Sequence, residues 1–350
     1  MIRSRAPLRI SFCGGGTDLN EYASVHGGLV LSATIARYAY ATLRRIPVDA
    51  IRVTSLDYDQ ITRYDIDKPL IYDGQVDLIE ACLRRLCVGQ EMRHGLELHL
   101  QTDAPPGSGL GSSSAVVVSV LAALATWQGL HLSDYKLARL AYDIERQDVG
   151  IAGGMQDQYA ATFGGFNLIE FRGDSDVVVN PLRIDEDVVR ELEYNSLLVF
   201  TGGTRLSSRI IESQVRRYTE GRPDVIAALD EMKALAIPAQ KALLRGRLRE
   251  LGEILHQGWV LKQVTSSAVT NTAIDRIYEQ ARALGAVGGK MSGAGGGGFM
   301  FLICPFDRIP AVKARLTDLG ASVQTVRFER EGVRSWAGRA LQRDLVVARH

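Results

Sequence analysis

Residues 104–115 read APPGSGLGSSSA. The preceding segment, GLELHLQTD (95–103), alternates apolar and polar residues like a half-buried strand, and the following one, VVVSVLAALATW (116–127), is long and apolar enough for a buried helix. A glycine-rich turn from strand into helix leaves backbone amides free at a positive helix terminus. With serine hydroxyls beside them, those amides suit a phosphate group and a metal ion that accompanies it.

Two more glycine-rich loops need explaining alongside it: FCGGGTD (12–18) and GGKMSGAGGGGF (288–299). Either alone reads as an ordinary turn. The third loop contains a G-x-G-x-x-G match at Gly293, Gly295 and Gly298, but FMFLIC follows it. That run is a strand, whereas a dinucleotide pyrophosphate needs a helix N-terminus at this point, so the match is not taken as a dinucleotide site. No Gly-Lys pair is followed by Ser or Thr, which removes the Walker A alternative.

Bulk properties narrow the field further. A chain of 350 residues has room for two domains, and a formal net charge of +1 gives no global basic field. Neither nucleic acid nor a membrane surface is therefore expected as a partner, and an anionic ligand must be held by local chemistry. The start, MIRSRAPLRISFCGGG, shows no secretory signal and no apolar run reaches about 18 residues. Cys13, Cys82, Cys87 and Cys304 follow no metal-binding spacing, and Cys82 and Cys87, five apart in a helical pattern, read as buried free thiols. A cytoplasmic location is expected.

Strand patterns dominate the first hundred residues (LRISFC, YAYATLR, AIRVTS, QITRYDI), interrupted by the helical VDLIEACLRRLC. SDYKLARLAYDIERQ reads as a helix capped by Ser133 or Asp134. Strands return with FNLIEF and DVVVN, and Pro181 with its acidic neighbours suggests a boundary. SLLVFT then precedes helical runs over about 206–264 and 271–284, and the end reads strand, loop, strand, helix, strand. The class is α+β without a regular βαβα rhythm. Division into 1–190 and 191–350 is expected.

Taken together, APLRISFCGGGTD, PPGSGLGSSSA and KMSGAGGGGF resemble, in order and spacing, the three motifs of the GHMP kinases (galacto-, homoserine, mevalonate and phosphomevalonate kinases). The resemblance spans roughly Ala6 to Phe299. It implies an N-terminal, ATP-binding domain with a left-handed βαβ crossover, a C-terminal ferredoxin-like domain, and a cleft between them for ATP, Mg2+ and a small-molecule acceptor. A homodimer is compatible with it.

Site residues follow from the same resemblance. Pro106, Gly107, Ser108, Gly109, Leu110, Gly111, Ser112, Ser113 and Ser114 would form the ATP loop. Any of the three consecutive serines could face the phosphates; Ser113 is expected on magnesium and Ser112 on a phosphate oxygen. ERQDVGIAGGMQDQ (145–158) resembles the family segment in which a glutamate precedes an aspartate. Glu145 would then join Ser113 as a metal ligand, since magnesium takes hard oxygens and leaves room for phosphate and water. Asp157 would stand beside the accepting hydroxyl, although an aspartate before QYAAT also reads as a helix cap. Arg9 resembles the basic partner of that aspartate and would offset charge on the phosphoryl group.

On the acceptor side the expected residues are Gly15, Gly16, Thr17, Asp18, Gly154, Arg205, Lys290, Gly293 and Gly295. Gly15 and Gly16 stand where galactokinases carry a Glu-His pair, which points to a different, bulkier sugar. Tyr22, Gly27, Gly28, Thr34, Ile35 and Tyr38, with TGGTRLSSRI (201–210), look most like the branch acting on D-glycero-D-manno-heptose 7-phosphate and the related L-fucokinases. Phosphorylation of the heptose's anomeric hydroxyl, for nucleotide-activated heptose and surface polysaccharide, is what that likeness implies. Arg205 would then take the second phosphate, because a guanidinium fork matches phosphate oxygens. A different sugar 1-kinase, a decarboxylase on the same fold and a non-catalytic sugar sensor are the alternatives.

Overall fold

The computed structural model describes residues 1–47, 50–56, 60–65, 77–87, 95–173, 176–203 and 207–338. In chain order the first part holds β1 (Ile2–Cys13), α1 (Asn20–His26), β2 (Gly28–Ile46), β3 (Ala50–Ser55), β4 (Gln60–Asp65), α2 (Asp77–Cys87) and β5 (Gly95–Thr102). Next come α3 (Ser112–Gln128), α4 (Asp134–Asp143), a π-helical turn (Ile144–Asp148), α5 (Gln156–Phe163), β6 (Phe166–Arg172), β7 (Asp176–Pro181) and α6 (Glu186–Tyr194). The second part runs β8 (Ser196–Phe200), α7 (Ser207–Thr219), α8 (Pro223–Ala234), α9 (Ala236–Leu244), α10 (Leu248–Thr265), a 3₁₀ turn (Ser267–Val269) and α11 (Thr272–Ala283). It closes with β9 (Gly288–Met291), β10 (Phe299–Ile303), α12 (Ile309–Asp318), β11 (Ser322–Gln324) and β12 (Arg334–Ala337).

The large sheet runs β12-β1-β2-β5-β3-β4, with β6 and β7 joined through the early half of β2. The pattern YAYATLR is only part of β2, whose 19 residues pair with β1, β6 and β5 in turn. Register shifts between Pro7 and Leu8 and between Ser11 and Cys13 let so long a ribbon bend. β3 and β5 are parallel, with β4 and α2 in their connection. Against this sheet lies α3, apolar on every side and buried accordingly, held between the strands and α2, α4 and α5.

The small sheet has the order β11-β8-β10-β9, antiparallel throughout. Numbered by its own strands this is 4-1-3-2, the ferredoxin-like arrangement expected. β10 is buried on both faces: Phe299, Phe301 and Ile303 join the core of the large sheet, while Met300 and Leu302 join the core under α11 and α12. Phe12 of β1 meets Phe301 edge-on at 5.4 Å and Phe166 at 6.4 Å. The two parts therefore share packing beside Phe12, at the start of the first glycine loop.

One expectation needs correcting. The division at 190 falls inside α6, and 327–337, expected in the second unit, returns to the first: Arg327 and Glu329 bond across to Ala36 and Thr34, and β12 pairs with β1. Hydrogen-bonding capacity on the outer edge of β1 draws the chain back. The helical runs expected over 206–264 are four helices, with breaks at Gly221 (φ 70°) before Pro223 and at Gly246 (φ 66°). All four cysteines are buried and free. Among the described residues no helix is long and apolar enough to cross a membrane.

Candidate active site

The second glycine loop ends at the N-terminus of α3. Gly111 has φ 73° and supplies no capping side chain, and the first helical bond runs from the Ala115 amide to the Gly111 carbonyl at 3.0 Å. The amides of Ser112, Ser113 and Ser114 thus precede the hydrogen-bond ladder of a 17-residue helix. They open into a cavity whose wall also includes Arg9, Asp18, Glu145, Asp157 and Lys262.

Loop two is held from both sides. The Arg9 amide donates to the Leu110 carbonyl at 2.9 Å, and the Phe299 amide to the Ser108 carbonyl at 2.9 Å. The third loop lies so close that a Cβ on Gly293 would sit 2.7 Å from the Gly109 carbonyl oxygen. Glycine here is a packing requirement between two backbones.

At the loop's edge the Arg9 guanidinium, 3% exposed, donates Nε to Asp157 Oδ1 at 2.8 Å and Nη1 to the Gly109 carbonyl at 2.5 Å. Nη2 reaches the same Asp157 Oδ1 at 2.7 Å. Asp157 sits in the first turn of α5 and is aimed at Arg9, so the helix-cap reading is wrong. Gly111 borders the pair, where a Cβ would lie in ordinary contact at 3.4 Å from the Asp157 carboxyl carbon, and its φ of 73° is what favours glycine.

Glu145 lies in the π-helical turn, whose i to i+5 bond (Val149 amide to Ile144 carbonyl, 3.0 Å) widens the helix. Both Glu145 and Arg146 line the cavity as a result. Arg146 approaches Glu145 at 3.3 Å and donates to the carbonyls of Ile151 (2.9 Å) and Gly154 (3.2 Å). Burial raises the Glu145 carboxyl above its ordinary value, while Arg146, Ser114 and Gln158 pull it down. Among the described residues its Oε1 is buried without a hydrogen-bond partner. An orphan carboxylate oxygen in a cavity that three serines at a helix terminus also line is a donor set that fits magnesium shared with phosphate oxygens. Ser113 is exposed and Ser112 and Ser114 are buried, yet all three line the cavity.

Across the cavity Asp18 ties the first loop to 154–156. Its carboxylate accepts from the Gly16 amide (2.9 Å), the Gln156 amide (3.1 Å) and Gln156 Nε2 (3.1 Å). The Met155 amide reaches the Asp18 carbonyl at 3.2 Å.

Family models match on both sides of this cavity: the GHMP kinases N terminal domain over residues 77–165 and the GHMP kinases C terminal over 239–322. A D-glycero-alpha-D-manno-heptose 7-phosphate kinase from Campylobacter jejuni is 41% identical over 337 residues, covering 96% of this chain and 98% of that relative. The chain belongs to the GHMP kinase family. Its two-domain fold is that of solved GHMP kinases. A Bacteroides thetaiotaomicron structure described as a D-glycero-D-manno-heptose 1-phosphate kinase superposes with a TM-score of 0.82 at 35% identity, covering 97% of this chain and 100% of that one. A putative sugar kinase from Campylobacter jejuni gives 0.78 at 39%, covering 96% and 98%.

The GHMP positions expected from the motifs divide into three groups. Gly16, Asp18, Gly107, Gly109, Gly111, the three serines, Glu145, Gly154, Asp157, Arg9 and Gly293 share the cavity wall. Gly15, Thr17, Pro106, Ser108, Leu110, Lys290 and Gly295 do not line it. Thr17 Oγ1 donates to the Gly14 carbonyl at 2.8 Å and accepts from the Leu29 amide, which staples the loop to β2. Lys290 is corrected from a ligand to a buried brace, its Nζ donating to the Ser11 carbonyl at 2.7 Å. Gly295 is filled against Val269, where a Cβ would lie 2.6 Å from the carbonyl oxygen. Arg205 lies outside the described residues. The cavity also contains Arg146 and Ser208, which lie in quoted segments without being expected in the site, and Lys262 and Gln214, which no motif contained.

Proposed function

We propose that the chain transfers the γ-phosphoryl group of ATP to the anomeric hydroxyl of D-glycero-D-manno-heptose 7-phosphate, giving the 1,7-bisphosphate. Identity of 41% to the Campylobacter relative across nearly the full length of both chains carries the choice of substrate. The Arg9–Asp157 pair beside an uncapped helix terminus supports the chemistry.

In this reading the free amides of α3 and loop two hold the nucleotide phosphates. Glu145 and one of the serines, Ser113 by the motif, would hold Mg2+, which neutralises charge on the phosphates when bound. Asp157 accepts the proton of the attacking hydroxyl, while Arg9 fixes its carboxylate and lends positive charge to the site. Asp18 lines the acceptor side of the cavity, its carboxylate held on both oxygens by Gly16 and Gln156. Gly16 and Gly154 keep that side open. The product would feed nucleotide-activated heptose for surface polysaccharide in the cytoplasm.

The Bacteroides structure favours a second reading, since its described substrate carries phosphate on carbon 1 and leaves the other end free. ADP release from ATP separates the two when measured with heptose 7-phosphate, heptose 1-phosphate, heptose, mannose, fucose and galactose. The proposal requires the highest kcat/KM with heptose 7-phosphate. A higher value with the 1-phosphate or with fucose would overturn it.

A further inference from the structure

We infer that Lys262 is a further catalytic residue, an ammonium that bonds the oxygens of the phosphoryl group in transit. This rests on the phosphoryl-transfer reading above.

Lys262 stands on the buried face of α10 that also carries Leu255, Trp259 and Thr265. A helix needing only packing would place an apolar residue there. Lys262 is 3% exposed, yet it forms part of the cavity wall. Its Nζ donates to the Gly293 carbonyl at 2.6 Å. An ammonium has three N–H groups, so two remain for the cavity.

The other lining charges are already matched. Arg9 is paired with Asp157 and Arg146 with Glu145, and Asp18 is satisfied by neutral amide donors. Among the described residues Lys262 alone lines the cavity as a cation without an ion pair. Burial pushes it down to about 8, against the pull of Asp18 and Asp157. Keeping an unpaired ammonium in such a place is costly unless a ligand completes it.

Position selects the ligand. Gly293 packs on Gly109, and the Gly109 carbonyl accepts from Arg9. Lys262 therefore stands at the seam between the second and third loops, next to the Arg9–Asp157 pair. There a phosphoryl group passes from nucleotide to acceptor. The hydroxyl oxygen forms the new P–O bond and its proton goes to Asp157. The bond to the β-phosphate oxygen breaks, with its electron pair leaving on ADP. Lys262 keeps its proton throughout and meets the charge on the transferring oxygens.

Lys262→Met keeps the length of the side chain and removes the charge. It should lower kcat by ~10²-fold or more, the loss typical of one preorganised donor, with acceptor KM changed by less than about threefold. The affinity for a non-hydrolysable ATP analogue should fall ~10-fold and that for ADP should hold, because only the former has the third phosphate. The melting temperature should not fall, since an unpaired buried charge is gone. Lys262→Arg should recover part of kcat, and it serves if the methionine variant does not fold. Turnover within about threefold of wild type, or equal weakening of ADP and the ATP analogue, would overturn the inference. So would a rise confined to the KM of phosphorylated acceptors, which would put Lys262 on the acceptor's phosphate. Wild-type protein that phosphorylates no sugar would sink the functional reading, and the nucleotide-affinity contrast would still test Lys262.

Discussion

Gly154→Ala probes the seam between the first loop and the catalytic segment. Gly154 does not have positive φ, so its backbone tolerates alanine and the effect comes from the added methyl group. That methyl would sit 2.5 Å from the Asp18 carboxyl carbon and closer still to Oδ2. Carbon atoms pack at about 3.5–4.0 Å, so one side must retreat by roughly 1 Å. The Asp18 carboxylate is held by bonds of 2.9–3.1 Å from Gly16 and Gln156, and such a retreat breaks at least one of them. Hydrogen bonds to a charged group contribute about 1.5–3 kcal/mol, which sets the expected cost at ~2 kcal/mol. In a coupled ADP-release assay the acceptor KM should rise ~30-fold while the ATP KM stays within about twofold. Combining Gly154→Ala with Asp18→Ala makes room for the methyl, so the alanine at 154 should then add almost nothing. An unchanged acceptor KM in Gly154→Ala, or the same increment with and without the Asp18 carboxylate, would refute the reasoning.

Asp157→Asn should lower kcat by ~10²-fold or more while the ATP analogue still binds, and near-normal turnover would remove Asp157 from proton transfer. Glu145→Gln should raise the magnesium concentration for half-maximal rate by ~10-fold, whereas an unchanged titration would place the ligand elsewhere. Burial pushes Lys290 from 10.5 down to about 7. Between those values the unfolded chain holds a proton that the folded chain lacks, so the Lys290 contribution to stability rises with pH, and below 7 its full penalty applies. Thermal melts of Lys290→Met should therefore show the largest gain over wild type near pH 6 and the smallest near pH 10; the reverse order would contradict the assignment.

Local patterns in the sequence exposed what local physics decides. AIRVTS is β3 residue for residue, Ser133 caps α4 through the Lys136 amide, and FMFLIC does follow the third loop as a strand. The three loops were visible because close backbone packing demands glycine, as at Gly109 against Ser292. Arg9 and Asp157, 148 residues apart, were linked only through a family resemblance. Lys262 and Arg146 escaped notice because a single cation in a helical run looks like solvated surface until the fold shows what encloses it. Lys290 failed in the opposite direction: it belongs to a motif but points behind the loops, to Ser11. Among the serines, sequence spacing could not separate exposed Ser113 from Ser112 and Ser114, because neighbours on a first helical turn differ only by where the cavity lies. The return of β12 to β1 left no trace in the pattern, since strand partners distant in sequence are selected by a free sheet edge.

The central claim is tested most directly by the ³¹P NMR spectrum of the product formed from ATP, Mg2+ and D-glycero-D-manno-heptose 7-phosphate. The account predicts one new phosphate resonance coupled to the anomeric proton, growing in step with ADP while the 7-phosphate signal persists. ADP that accumulates without any new sugar phosphate, or a new phosphate on a carbon other than the anomeric one, would contradict it.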